Sequence, residues 1–110
     1  MKNKKLKEIK YKLNDIISYQ KNTISSNALI NKKTGTLTLF AFDKNQFISP
    51  HKAPFDAMAY VIEGKTLIKI GNKNYNLQKG DFIIMPANIE HSLKAITKFK
   101  MLLVMIKTKI

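Results

Sequence analysis

Gly80-Asp81-Phe82-Ile83-Ile84-Met85-Pro86-Ala87-Asn88-Ile89-Glu90-His91 reads as a turn, a short apolar strand, a proline corner and a second turn that ends on a histidine. Phe82 to Met85 is too brief for a helix and is bounded by punctuating residues on both sides. Pro86 has no N–H to give a sheet ladder, so the strand must stop before it. The same grammar holds on either side. Upstream, Thr23 to Ile30, Thr36 to Phe42, Phe47 to Ser49, Ala57 to Ile62, Thr66 to Ile70 and Tyr75 to Leu77 are β-rich runs separated by turn residues. Downstream come Ser92 to Ile96 and Phe99 to Ile106. Gly71-Asn72-Lys73-Asn74 is the strongest hairpin signal among the turns. Nine short strands without an intervening helix predict an all-β sandwich or closed barrel, because their edges must be hidden. A parallel α/β sheet is excluded for want of crossover helices.

Before this series, Leu6, Ile9, Leu13, Ile16 and Ile17 recur at helical spacing, and the reading is a short helix near residues 14–19 with Asn14 as its cap. The expected division is an N-terminal segment over residues 1–22 and a single barrel domain over residues 23–110. The opening run Met1-Lys2-Asn3-Lys4-Lys5-Leu6-Lys7 lacks the apolar stretch of a signal peptide and is read as a solvated terminus. No apolar run approaches the length of a membrane span. The chain contains no cysteine, which removes disulfides, thiolate metal sites and a cysteine nucleophile, and fits a cytoplasmic protein.

The net charge of +13 would draw polyanions at low salt. All twenty basic residues are lysine, however, and they are spread through turns and both ends of the chain. Arginine, the residue that forks onto guanine and phosphate, is absent, so neither specific nucleic-acid recognition nor membrane binding is expected.

Alternation identifies two unusual strands. In Ala57 to Ile62 a small face (Ala57, Ala59, Val61) backs a bulky one (Met58, Tyr60, Ile62), and Phe99 to Ile106 is equally apolar on both sides. Such strands must be covered twice. One cover is the core or a cavity, with Ala53, Ala57, Ala59 and Val61 as its expected lining; the other is read as a second subunit, giving a homodimer.

His51 and His91 are the only histidines, and each falls at a turn between strands. Three readings of the pair stand side by side: a two-imidazole metal site, a metal-free pocket that binds or polarises a small anionic or carbonyl ligand, and histidines satisfied by backbone groups alone. His91 is the candidate acid-base residue. Asp56 is either a turn residue or an orienting partner of an imidazole. Glu90, next to His91 on an extended strand, should point the other way.

The stretch from Thr36 to Ile106 resembles the cupin superfamily of small jelly-roll barrels, also described as double-stranded β-helices. The family's first motif has two histidines separated by one residue, a glutamate three or four residues later and a glycine after six more. Counting back from Gly64, Ala57 stands at the glutamate position, Ala53 at the second histidine and His51 at the first. The second motif is glycine, five residues, proline, one residue, glycine, two residues, histidine; Gly80, Pro86 and His91 are in register, with Asn88 at the middle glycine. Asn is the non-glycine residue best suited to a left-handed backbone, so the turn should survive. Pro54-Phe55-Asp56-Ala57 and Met85-Pro86-Ala87-Asn88 resemble a subgroup of small single-domain bacterial cupins.

The resemblance implies that His51 and His91 point into the barrel from strands facing each other across its mouth. A full site in the family offers three histidines and a glutamate to Fe, Mn, Zn, Ni or Cu. A metal held by His51 and His91 would draw further donors from Gln46, Asp56, Met85, Met105, water or an added anion. The expected function is small-molecule binding in the barrel cavity through such a centre; the alternative is a metal-dependent oxygenase, isomerase or lyase.

Overall fold

The computed structural model describes residues 7–107. Among the described residues, a single turn of helix, α1 (Leu13–Ile16), precedes nine strands: β1 (Ile24–Lys32), β2 (Gly35–Phe42), β3 (Phe47–His51), β4 (Asp56–Glu63), β5 (Lys65–Ile70), β6 (Lys73–Gln78), β7 (Phe82–Met85), β8 (His91–Ala95) and β9 (Phe99–Ile106). They form two antiparallel sheets, a five-stranded sheet I in the order β1-β2-β9-β4-β7 and a four-stranded sheet II in the order β3-β8-β5-β6. This is the expected jelly-roll barrel, and each of the nine expected runs holds a strand, although β3 continues through Pro50 to His51 and β6 takes in Lys73 and Asn74 of the expected turn. Among the described residues no helix is long and apolar enough to cross a membrane.

The core lies between the sheets. On β4 the small face Ala57, Ala59 and Val61 is buried and packs with Phe42, Ile68, Leu77, Met85, Leu93, Ala95, Phe99 and Met101. Phe42 and Phe99 are opposite in the β2–β9 register and stack with centroids 4.5 Å apart. Complete burial of a side chain of this size contributes about 1.5–3 kcal/mol. Gly64, at φ +82, makes the tight link from sheet I to sheet II. A Cβ there would lie 2.8 Å from the Phe99 Cα and closer still to the Lys98 carbonyl oxygen, so this turn admits only glycine.

The helix is shorter than the expected span of 14–19, because Ile17 already has extended backbone at φ −130 and ψ 143. Asn14 does not cap it. Lys12 occupies the cap position, and Asn14 sits inside the turn with its side chain committed elsewhere. Its Nδ2 donates to Glu63 Oε1 at 2.8 Å, while Lys100 Nζ donates to the Asn14 carbonyl and to Oδ1 at 2.7 and 2.8 Å. The Tyr19 hydroxyl donates to Glu63 Oε2, and the Tyr19 ring lies 5.1 Å below the Lys100 ammonium. Hydrogen bonds from Tyr19 and Asn14 hold the Glu63 carboxyl below its ordinary range. Burial, with the Glu63 carboxylate beside it, pushes the Tyr19 phenol upward.

This network straps the N-terminal segment across the outer face of sheet I, where Ile17 packs with Leu39 and Ala41, flanked by Leu13, Ile16, Leu29, Ile62 and Leu102. The two-sided apolarity of β4 and β9 is therefore covered in part by the chain itself. Farther along the same face, Ile30, Leu37, Val104, Met58 and Ile84 are aligned in register across all five strands. Ile30 and Ile84, the two ends of that row, are exposed.

Replacing Glu63 with glutamine puts an amide N–H2 opposite one of its two donors. Glu63→Gln is expected to lower unfolding stability by about 1–2 kcal/mol in urea titration. It should also speed amide exchange in residues 13–19 while leaving the β2–β9 ladder protected.

Candidate functional site

The two histidines meet by strand pairing. His51 closes β3 and His91 opens β8; the strands are antiparallel neighbours in sheet II, and the two residues are register partners. The resemblance led to the expectation of strands facing each other across the mouth. The structure corrects this: both rings rise from one sheet, and their centroids are 4.3 Å apart in an edge-on arrangement at 65°. A register irregularity between Ile48 and His51 brings the His51 ring onto the His91 side. His91 shares its face with Leu93 and Ala95, which are buried in the core, and is itself only 7% exposed. His51 is exposed at the sheet edge. The pair thus has one dry member and one wet member.

Each ring is oriented by its own backbone. Nδ1 of His51 lies 3.0 Å from the Ser49 carbonyl oxygen, and Nδ1 of His91 lies 3.3 Å from that of Ile89. A carbonyl only accepts, so Nδ1 is a protonated nitrogen in both rings, and Nε2 is the nitrogen that carries the lone pair whenever the ring is neutral. Burial, and secondarily the neighbouring His51, hold the His91 pKa below the ordinary histidine value, although the Ile89 carbonyl opposes the shift. His91 is accordingly neutral at pH 7, with Nε2 available as a base or a ligand.

The turn that delivers His91 is pinned from the β3–β4 loop. Asn88 has φ +64, the left-handed backbone anticipated for the residue at the middle-glycine position. Its N–H donates to the Ala53 carbonyl at 2.7 Å, and the Ala87 N–H donates to Asp56 Oδ1 at 2.8 Å. Asp56 therefore spends a carboxylate oxygen on a long-range clamp rather than on a local turn. Glu90 is exposed, and its carbonyl accepts from Gly71 N–H.

The remaining candidates are placed as follows. Met85 and Met105 flank Ala57 in register on the inner face of sheet I, the wall facing the sheet that carries the histidines. Gln46 lies beside Ala95 at the other end of β8, its carbonyl accepting from the Ala95 N–H. Four residues of strand, about 13 Å, separate Ala95 from His91. Ala59 and Val61 are fully buried among large core side chains and Ala57 nearly so, while Ala53 is half-buried in the loop. Clefts of about 450 and 350 Å³ are lined by other residues, and the small face of β4 packs in one core cluster with Phe42, Phe99 and Met101. Among the described residues no group of three or more His, Cys, Asp or Glu comes together. The donor set on hand is two imidazole nitrogens, which fits an open metal centre and not a closed four-ligand cage.

Residues 38–107 match the cupin domain family model. The chain belongs to the cupin family. It is similar to a conserved protein of unknown function from Streptococcus pyogenes, at 32% identity over 94% of this chain and 90% of that one, with a TM-score of 0.89. A cupin 2 conserved barrel domain protein from Leptotrichia buccalis is 34% identical over 88% of this chain, with a TM-score of 0.85, and this cupin spans about half (47%) of that protein's length. A cupin superfamily protein from Desulfitobacterium hafniense, 23% identical over 84% of each chain with a TM-score of 0.81, shares the fold. No curated protein matches the chain.

Sequence reasoning did not foresee the carbonyls of Ser49 and Ile89, which carry no side-chain signal beyond lying two residues before a histidine. It also passed over Lys100, although a lone lysine inside the apolar run Phe99 to Ile106 was a visible clue to a buried partner.

Because His91 resists protonation in the folded state, the unfolded chain binds the proton first on acidification. Folding stability should fall as pH drops from about 6.5 through the lowered His91 pKa and level off below it. Thermal melts of wild type and His91→Gln between pH 8 and pH 4.5 check this: the wild-type slope across that window should flatten in the variant.

Proposed function

We propose that this cupin binds a small molecule at the barrel mouth through His51 and His91, with a transition-metal ion held between the two Nε2 atoms. One observation supports this reading above the others. The two imidazoles are register partners on neighbouring strands, and both Nδ1 atoms are tied to carbonyls, so in the neutral rings both Nε2 atoms are left to bind. Histidine ligands in metal sites are oriented by such an outer hydrogen bond on the second nitrogen. Fe, Mn, Zn, Ni and Cu all accept imidazole, and a bound ion would act as a Lewis acid toward a carboxylate or carbonyl ligand.

The protein's own share is to hold the rings and set the charge of the site. The Asp56–Ala87 and Ala53–Asn88 bonds fix the turn before His91, and β3–β8 pairing fixes His51. Ala57 brings no carboxylate to the position where the family pattern has glutamate. Two neutral imidazoles leave the charge of a dication uncompensated, which favours an anionic small molecule over a neutral one. We place this activity in the cytoplasm, in keeping with the absence of cysteine.

The partner in this reading is a second copy of the chain. The apolar row Ile30–Leu37–Val104–Met58–Ile84 on the outer face of sheet I contains no lysine, in a protein where twenty of 110 residues are lysine. The exposed Phe82, opposite Tyr60, extends it.

Metal-stripped protein titrated calorimetrically with Zn²⁺, Mn²⁺ and Cu²⁺ should take up one ion per chain for at least one of them. His91→Ala should abolish uptake, His51→Ala should weaken it by about tenfold or more, and Glu90→Ala should leave it unchanged. Equal loss from Glu90→Ala would refute the assignment. Sedimentation should give twice the monomer mass, reverting to the monomer in Ile30→Lys/Ile84→Lys at an unchanged melting temperature; a monomeric wild type rules the dimer out.

A further inference from the structure

The outer face of sheet II carries a cleft of about 450 Å³ that the histidines do not line. Its walls follow from the register. His91, Leu93 and Ala95 point to the core, so Ser92 and Lys94 point outward. Phe47 and Leu67 lie opposite Lys94 from either side, and Lys69 lies opposite Ser92. Asn74, beyond Lys69 on β6, closes the far wall.

Two features of these walls do not serve the fold. Lys69 and Lys94 are diagonal neighbours on adjacent strands, both exposed, and none of the residues lining the cleft is acidic. Like charges in that relation repel, at a separation of about 7–8 Å that one small anion can bridge. Phe47, directly across from Lys94, is 63% exposed, and with Leu67 and Pro50 it gives the cleft an apolar floor. An exposed phenylalanine on an edge strand contributes little to the core and exposes that edge to aggregation. Ammonium groups on one side and a ring on the other match a ligand with an anionic head and an apolar or planar body.

We propose that this cleft is a second ligand site, separate from the histidine pair, for a small organic anion whose carboxylate or phosphate lies between Lys69 and Lys94 and whose body packs on Phe47 and Leu67. Asn74 and Ser92 supply neutral hydrogen-bonding groups beside the head. A long polyanion is a poorer match. The protein's lysines are spread along the whole chain rather than gathered at this cleft, and a polymer would gain from that diffuse charge rather than from a cleft with an apolar floor.

The test uses phenyl phosphate and benzoate as probes, with inorganic phosphate and benzyl alcohol as controls for head and body, followed by amide chemical shifts at 150 mM salt. At least one probe should bind more tightly than either control and move the resonances of residues 47–50, 67–69 and 92–94; whichever binds better identifies the head group. Lys69→Ala/Lys94→Ala should weaken binding by about tenfold. Phe47→Ala should weaken the aromatic probes and leave inorganic phosphate unaffected. Lys32→Ala/Lys33→Ala, which removes an equal charge from the β1–β2 turn, should change affinity by less than about twofold, as should His91→Ala. Equal loss from the Lys32/Lys33 variant would reduce the effect to diffuse charge. Loss from His91→Ala would place the probe at the histidines, and absence of binding by both probes would also overturn the proposal.

Discussion

The pairing of β3 with β8 is the constraint on which the candidate site of this molecule rests. It brings His51, at the end of an exposed edge strand, alongside His91, at the start of a central one. The ladder is not uniform: Phe47 and Ile48 pair regularly with Lys94 and Leu93, and the irregularity that follows reaches His91 one residue later on β3 than strict counting allows. Without that extra residue Pro50, which has neither an imidazole nor a ladder donor, would face His91. Side-chain direction in a strand reverses with every step, so a single residue decides whether the rings share a face.

The turn that leads into β8 must be equally definite, and two hydrogen bonds make it so. Asn88 donates to Ala53 and Ala87 to Asp56, tying the turn to the loop that leaves His51. The two segments that carry the histidines are thus fastened to each other on both sides of the site. A left-handed Asn costs less than any other non-glycine residue at φ +64, and its N–H is part of the clamp. Under the proposed function, a ligand would meet rings already oriented in this way, so little ordering entropy would remain to be lost on binding.

Much of the fold was legible because the turn chemistry was strong. Gly71-Asn72, Gly80-Asp81 and the Pro86-Ala87-Asn88 corner mark strand ends with residues that few other positions require. The short helix was legible in existence but not in extent. Its periodicity, from Leu13 through Ile17, continues past Ile16, yet Ile17 is pulled into extended backbone to fill the gap over Leu39 and Ala41. That is tertiary packing overriding a local pattern. Apolarity on both faces of β4 correctly demanded two covers. Composition alone did not say that one of them would be the same chain's strap, because the Asn14–Glu63–Tyr19–Lys100 network joins residues up to 86 positions apart. The histidines were legible as candidates, but their separation was not, since sheet neighbours in a jelly roll are not chain neighbours and register through a bulge is invisible to residue counting.

The same geometry explains why the two histidines behave as unequal partners. His91 is enclosed by the core that Leu93 and Ala95 continue, which disfavours its charged form. His51, on the open edge, keeps contact with water. Were both rings buried, a ligand would have no open approach to either. Were both exposed, neither nitrogen would be kept deprotonated by its surroundings. One ring inside the wall and one at its rim gives a centre that stays neutral and basic on its inner side and admits exchange on its outer side. The Ser49 and Ile89 carbonyls hold each ring by Nδ1, and this combination of a desolvated base with an accessible second imidazole is what supports the proposed site.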